Sequence, residues 1–229
     1  MKDTIYSREQ YLRKKAAEKE PLNIQLTNNY AFRKLFKMNY IARGFLIALL
    51  GLDEEDVVKL EVIDPFEEGE NEEEKEGILD IKIYLNDNKK INIEMQNRYQ
   101  EDWTERSLFY NCRMFTEGLY HGQPYGDLEP CIHVGILDFD LMKTPGFHHH
   151  IKLLDIKTNE EYSSKLQFHV VQLKQVESAT EEEKQTELYY WAKLLAAKDW
   201  KQVEETIRGN PYREAVKNEI RMRKNGIYI

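Results

Sequence analysis

Residues 78–96, ILDIKIYLNDNKKINIEMQ, carry the strongest indication of the fold in this sequence. Ile78–Leu85 and Ile91–Gln96 each alternate apolar and polar residues, and the segment NDNKK between them is rich in turn-forming residues. Alternation of this kind is typical of half-buried β-strands. The stretch therefore predicts a β-hairpin.

The alternation sorts the side chains of this hairpin into two faces. One face is apolar, and the other carries Asp80, Lys82, Tyr84, Asn92, Glu94 and Gln96. Pairing the two apolar faces requires an odd-numbered loop centred on Asp87, because a one-residue slip would turn one strand inside out. This register predicts that Asp80 lies directly opposite Glu94, with their Cβ atoms about 5 Å apart.

Two interpretations of the polar face follow. Two carboxylates at that separation repel each other unless a cation or a shared proton lies between them, and oxygen ligands of this type suit magnesium. Alternatively, the face is exposed and its carboxylates pair with Lys82 and water, as is common for antiparallel hairpins. Alternation alone leaves both open. The apolar strands, and the position of Glu94 and Gln96 just before the next helix, favour a functional site.

The 229 residues are enough for one α/β domain with an appended helical piece. Periodicity predicts further helices at 7–19, 27–37, 41–50, 103–120, 181–197, 200–207 and 212–223, and further strands at 58–63, 131–139, 148–156 and 168–173. Thr27 is the predicted N-cap of the second helix, and Gly51 is the predicted C-cap of the third. This order favours a mixed sheet with helices on both faces. We divide the chain into a helical arm (1–22), a core (23–178) and a C-terminal helical region (179–229).

Composition narrows the class of protein. The net charge of -8 comes largely from residues 67–76, EEGENEEEKE, which hold seven Glu against one Lys and predict a solvated loop. The two cysteines predict reduced core residues, and the sequence shows neither a signal segment nor a long apolar run. We therefore expect a soluble cytoplasmic protein that does not associate with a membrane.

The histidines do not predict a metal site. In His148-His149-His150 the middle side chain of a strand points away from the other two, and no further ligand is suitably spaced. His133 lies inside an apolar strand, which predicts a hydrogen-bonded core histidine. Neither a glycine-rich phosphate loop nor a recognisable serine or cysteine nucleophile is present.

Five segments in order carry a family resemblance. They are TNNYAFRKLF (27–36), ILDI (78–81), INIEMQ (91–96), RSLFY (106–110) and ILDF (136–139). Together they resemble the PD-(D/E)XK nuclease superfamily, and more closely its transposase-associated branch of bacterial recombination-promoting nucleases, over roughly residues 24–175. The resemblance implies a restriction-endonuclease-like α/β fold, with a mixed β-sheet flanked by helices and a C-terminal helical extension.

The resemblance also implies residue roles. Asp80 and Glu94 would bind Mg²⁺ or Mn²⁺, with the Met95 carbonyl as a further ligand, and Gln96 stands where the superfamily has a water-orienting lysine. Glutamine can hold water but supplies no positive charge, so we assign that charge to Lys82. The superfamily's proline is absent before Asp80, and Asn29 replaces an acidic residue that is common in this branch.

Substrate contacts and alternatives complete the expectation. Arg106, Tyr110 and Arg113 share one helix face, and the first two match the family segment, which predicts phosphate contacts for Arg106 and Tyr110. The expected activity is hydrolysis of DNA phosphodiester bonds, associated with transposition or recombination. A catalytically idle DNA-binding or interaction module on the same fold stays open, as does a homodimer.

Overall fold

The computed structural model describes residues 20–63, 81–86, 88–117, 119–207 and 209–224, together with Gln10 and Lys14. The predicted helix at 7–19, the acidic segment 67–76 and Asp80 lie outside the described residues, apart from Gln10 and Lys14, which are helical.

Six strands form one mixed sheet in the order β1-β2-β3-β4-β6-β5. β1 to β3 are antiparallel neighbours, β3, β4 and β6 are parallel, and β5 is antiparallel to β6. The strands are β1 (Leu60–Ile63), β2 (Ile81–Leu85), β3 (Lys89–Gln96), β4 (Cys131–Leu137), β5 (His148–Leu154) and β6 (Glu161–Gln172).

Helices cover both faces of this sheet, as the sequence predicts. They are α1 (Asn29–Phe36), α2 (Asn39–Leu50), α3 (Trp103–Thr116), α4 (Glu187–Ala196), α5 (Trp200–Ile207) and α6 (Pro211–Lys224). None of the helices in the described residues is long and apolar enough to cross a membrane.

The apolar face of the β2–β3 hairpin forms the centre of the main core. Side chains such as Ile83, Ile91 and Ile93 are buried in one cluster with α1, α2 and the C-terminal helices. The C-terminal helices therefore pack into the same core as the sheet. Where α2 crosses α6, Gly44 gives the space, because a Cβ there would lie 2.2 Å from the Tyr212 ring.

Most predicted element boundaries hold within a few residues, and the differences have local causes. The N-cap of α1 is Asn28 rather than Thr27, since its side chain accepts hydrogen bonds from the Tyr30 and Ala31 amides. The C-cap at Gly51 is confirmed, with a left-handed φ of 63°. Cys112 is exposed on α3, so the prediction that both cysteines are core residues is wrong for it, whereas Cys131 is buried.

Candidate active site

The hairpin register is the predicted one in the part of the chain that the structure describes. Ile81 pairs with Ile93 and Ile83 with Ile91, as an odd loop centred on residue 87 requires. The apolar side chains of both strands consequently share the core face. Asp80, the predicted partner of Glu94, lies outside the described residues, so its predicted position opposite Glu94 stays a prediction.

The polar face of the hairpin is buried beneath α3. Asn92 is 0% exposed, Glu94 1% and Lys82 6%. The interpretation of this face as an exposed, solvated surface is therefore wrong. Sequence alternation identifies the face correctly but carries no information about the helix that covers it.

Glu94 is held by two groups at the start of α3 and the end of β3. Its Oε1 lies 2.7 Å from Nη2 of Arg106 and accepts a hydrogen bond of 3.2 Å from Nε2 of Gln96. The Arg106 side chain is 30% exposed, so this cation reaches Glu94 from the edge of the site. Charge compensation by an arginine makes burial of the carboxylate tolerable.

Arg106 and Tyr110, the predicted substrate-binding pair, are in contact with each other. The guanidinium carbon of Arg106 lies 5.4 Å from the centroid of the Tyr110 ring. Burial raises the pKa of Tyr110, so its hydroxyl is protonated at neutral pH. The pair thus presents an arginine and a hydrogen-bond donor beside Glu94, which is consistent with an anionic substrate.

Lys82 has its ammonium directed to the opposite end of α3. Its Nζ lies 3.1 Å from Oε2 of Glu117, the residue that caps the helix C-terminus. It lies opposite Asn92 in the hairpin, on the same face as Glu94. The catalytic role assigned to Lys82 stays a prediction.

His133 is a buried, hydrogen-bonded histidine, as the sequence predicts, but its position beside Glu94 was not predicted. It is 2% exposed, its Nδ1 lies 3.0 Å from Nδ2 of Asn92, and its Nε2 lies 3.9 Å from Oε2 of Glu94. Burial, assisted by the nearby Arg106 charge, lowers the pKa of His133 to about 3, so the ring is neutral. The parallel pairing of Asn92 with His133 brings it there, and a single sequence does not reveal that pairing.

The other histidines form a separate group at the edge of the sheet. His148 and His150 stack on His169, with ring centroids 5.2 Å and 4.1 Å away, whereas His149 contacts Gly146 and Gln172. The prediction that His149 points away from its neighbours is confirmed. His148 and His149 are half-buried and pair with Val171 and Val170 near the end of β6. This strand begins at Glu161, seven residues before the predicted Phe168.

The donor chemistry at Glu94 fits an oxygen-seeking divalent cation. The described residues hold no group of three or more His, Cys, Asp or Glu that could bind a metal. The donors that the hairpin offers are a carboxylate, the Met95 carbonyl and the Gln96 amide, and such ligands suit Mg²⁺ or Mn²⁺ rather than zinc.

One comparison with known proteins gives a match. The family model described as PD-(D/E)XK nuclease family transposase matches residues 26–225, which include both the sheet and the C-terminal helices. The chain has no significant match among curated proteins or among solved structures. The mixed six-stranded sheet flanked by helices is accordingly of the restriction-endonuclease-like α/β type.

Proposed function

The chain belongs to the PD-(D/E)XK nuclease family transposases, and from this membership we propose that it is a divalent-metal-dependent DNA endonuclease whose site is built on Asp80 and Glu94. Membership of the family indicates a nuclease role in transposition. The observation that carries the finer proposal is the burial of Glu94 on the polar face of the hairpin, with an arginine and an amide at the same carboxylate oxygen.

The second ligand that we propose is Asp80. It precedes Ile81, whose partner is Ile93, and continuing this register by one residue would bring Asp80 opposite Glu94. Two carboxylates on facing strands would then share one cation, with the Met95 carbonyl as a third ligand. A bound Mg²⁺ or Mn²⁺ supplies Lewis-acid stabilisation of the charge that develops on the phosphate, and activates water.

Side chains of this chain orient the attacking water and bind the substrate phosphate in the proposed reaction. The Gln96 amide is placed to orient the attacking water by hydrogen bonding, in the position where the superfamily has a lysine. Arg106, at the rim of the site, binds the phosphate of the substrate and offsets its charge, with Tyr110 beside it.

A basic hollow on α1 supports DNA as the substrate. It has a volume of about 290 Å³ and is bordered by Asn29, Tyr30, Arg33, Lys34 and Lys37. Cationic side chains next to an exposed aromatic ring suit a phosphate backbone. In a chain with a net charge of -8, such a local cluster favours a polyanion at this surface.

The proposal is tested with supercoiled plasmid and purified full-length protein in Mg²⁺, Mn²⁺ or chelator. We expect metal-dependent nicking or cutting, and a loss of at least about 100-fold in rate for Asp80→Asn and for Glu94→Gln. Glu129→Gln is the matched control, since it makes the same chemical change at a carboxylate that pairs with Lys90 on β3, away from Glu94, and should keep activity.

Two outcomes would contradict the nuclease proposal. Cleavage that survives in both Asp80→Ala and Glu94→Ala must use another site. Electrophoretic shifts of DNA without cleavage in any metal would favour the idle DNA-binding module on the same fold.

A further inference from the structure

We propose that His133 is a positioning residue. Asn92 orients the His133 ring so that the Nε2–H points toward Oε2 of Glu94 and keeps that carboxylate in place for metal binding. This inference rests on the proposed function, because it concerns the same carboxylate. It adds His133 of β4, which lies in none of the five segments that carry the family resemblance. Its partner Asn92 of β3 lies in one of them, INIEMQ.

The surroundings of His133 do not by themselves call for a histidine. The side chain is 2% exposed and packs between the rings of Trp103 and Phe168, at centroid distances of 5.8 Å and 6.2 Å. An apolar residue would fill this space without the cost of burying two ring nitrogens. A polar group at such a position calls for a partner or a role.

Asn92 determines which nitrogen of His133 carries the proton. Its amide Nδ2 donates to Nδ1 of His133 over 3.0 Å, so a neutral ring must carry its proton on Nε2. The reverse amide orientation would require the proton on Nδ1 and would turn the Nε2 lone pair toward a carboxylate 3.9 Å away, which is repulsive. A protonated ring would also carry hydrogen on Nε2. The Nε2–H therefore faces Glu94 in every favourable state.

The Nε2–H of His133 interacts with Glu94. Among the described residues this nitrogen has no hydrogen-bond partner, and the Oε2 atom of Glu94 lies 3.9 Å from it. That distance is longer than a hydrogen bond, so the interaction is between an oriented N–H dipole and a charge. Arg106 and Gln96 hold the other oxygen, Oε1, from the opposite side.

The carboxylate thus has a neighbour at each of its two oxygens, and these neighbours differ in exposure. Arg106 is 30% exposed at the rim, whereas His133 is enclosed by the sheet and by α3. Gly135, the β4 partner of Glu94, leaves room for Trp103, because a Cβ there would lie 2.6 Å from its ring. The ring closes the histidine side of the site. Partners behind a ligand typically change metal affinity by 10- to 100-fold.

Two substitutions that differ by one methylene group separate positioning from packing. His133→Asn retains an amide where Nδ1 contacts Asn92 but has no donor at the Nε2 position. His133→Gln places an amide near the Nε2 position. Mn²⁺ binding to the full-length protein without DNA is measured by calorimetry, with thermal unfolding of the metal-free protein in parallel.

We expect His133→Asn to weaken Mn²⁺ binding about 10- to 100-fold, and His133→Gln to stay within about 3-fold of the unmodified protein. The metal concentration for half-maximal cleavage should rise by the same factor in His133→Asn, with a smaller change at saturating metal. His169→Asn is the matched control, because His169 is also 2% exposed but lies on β6 and faces the other side of the sheet.

Two results would overturn the positioning role while leaving the nuclease proposal intact. One is unchanged Mn²⁺ affinity in His133→Asn. The other is an equal loss in His133→Asn and His169→Asn, which would reflect general loosening of the fold. Mn²⁺ affinity that is unchanged in Glu94→Gln would instead overturn the metal site, and with it both proposals.

Discussion

The two ends of the hairpin's polar face bury opposite charges in different ways. At one end, the Lys90 ammonium lies 2.7 Å from the Glu117 carbonyl, 3.3 Å from the Met114 carbonyl and 3.2 Å from the Glu129 carboxylate. At the other end, Glu94 meets Arg106 in the first turn of α3. Helix α3 therefore runs back along β3, with its partially negative C-terminus at the lysine and its partially positive N-terminus at the glutamate.

We interpret this difference as one between a structural end, at Lys90, and the proposed functional end, at Glu94. Lys90 is 4% exposed, and its ammonium donates to helix carbonyls that cannot move away unless α3 unfolds. Glu94 receives its cation from a long side chain at the rim, which can move without disturbing the backbone. In the proposed site a metal or a phosphate can thus replace Arg106, whereas the Lys90 ammonium is held by two helix carbonyls in addition to the Glu129 side chain.

Acid should lower the stability of the fold most strongly, through His148 and His169. Both side chains are neutral and lie on the face of the sheet opposite to His133. Burial, followed by the neighbouring histidines, lowers the pKa of His148 to about 4 and that of His169 to about 3. The unfolded state then binds more protons, so stability is full above about pH 6.5 and falls below it. We expect a loss of up to about 1.4 kcal/mol per pH unit for each histidine.

Urea unfolding at pH 7.5, 6 and 5 measures this slope. The double variant His148→Gln/His169→Gln should show a shallower pH dependence, whatever its absolute stability. An equal slope in the double variant would mean that other groups, such as His133 or the compensated charges of the hairpin, limit stability in acid.

The second effect compares Lys90→Met with Glu94→Gln at pH 7.5. We expect Lys90→Met to lower the free energy of unfolding by about 2–3 kcal/mol, because two helix carbonyls and the Glu129 carboxylate lose their hydrogen-bond donor. Glu94→Gln should cost less than about 1 kcal/mol, since Arg106 can turn to solvent. Denaturant titration and Mn²⁺ calorimetry on both variants measure the contrast.

The two variants should also differ in metal binding. Lys90→Met should bind Mn²⁺ normally, whereas Glu94→Gln should not bind it. If Glu94→Gln destabilises the fold as much as Lys90→Met does, both ends are structural and the distinction fails.

The smallest effect concerns Arg106, which in the proposed site would compete with a metal for Glu94. In Arg106→Gln we expect Mn²⁺ affinity without DNA to rise about 3- to 10-fold, which is at most about 1.4 kcal/mol. DNA cleavage should nevertheless fall, because the phosphate contact is lost. Arg113→Gln, two turns further along α3, is the control and should change neither quantity. Weaker Mn²⁺ binding in Arg106→Gln would show that the arginine organises the metal site instead of competing for it.

Local patterns predicted the elements on which this site is built. Alternation in two strands predicted the register that pairs Ile81 with Ile93, because a half-buried hairpin has only one way to place both apolar faces inside. Gly51 was predictable as a C-cap for a similar reason, since a left-handed residue there favours glycine. The start of β6 was missed because Glu161–Gln167 is polar and pairs mainly with the exposed strand β5, where no core imposes alternation.

Short-range periodicity and motif segments were enough to predict the hairpin, its two faces and the candidate residues Glu94, Gln96, Arg106 and Tyr110. The burial of the polar face, the compensation of Glu94 by Arg106 and the position of His133 beside Glu94 became visible only in the folded structure. Those contacts join β3 to β4 and α3, and pairing between elements distant in the chain leaves no periodic trace in either one.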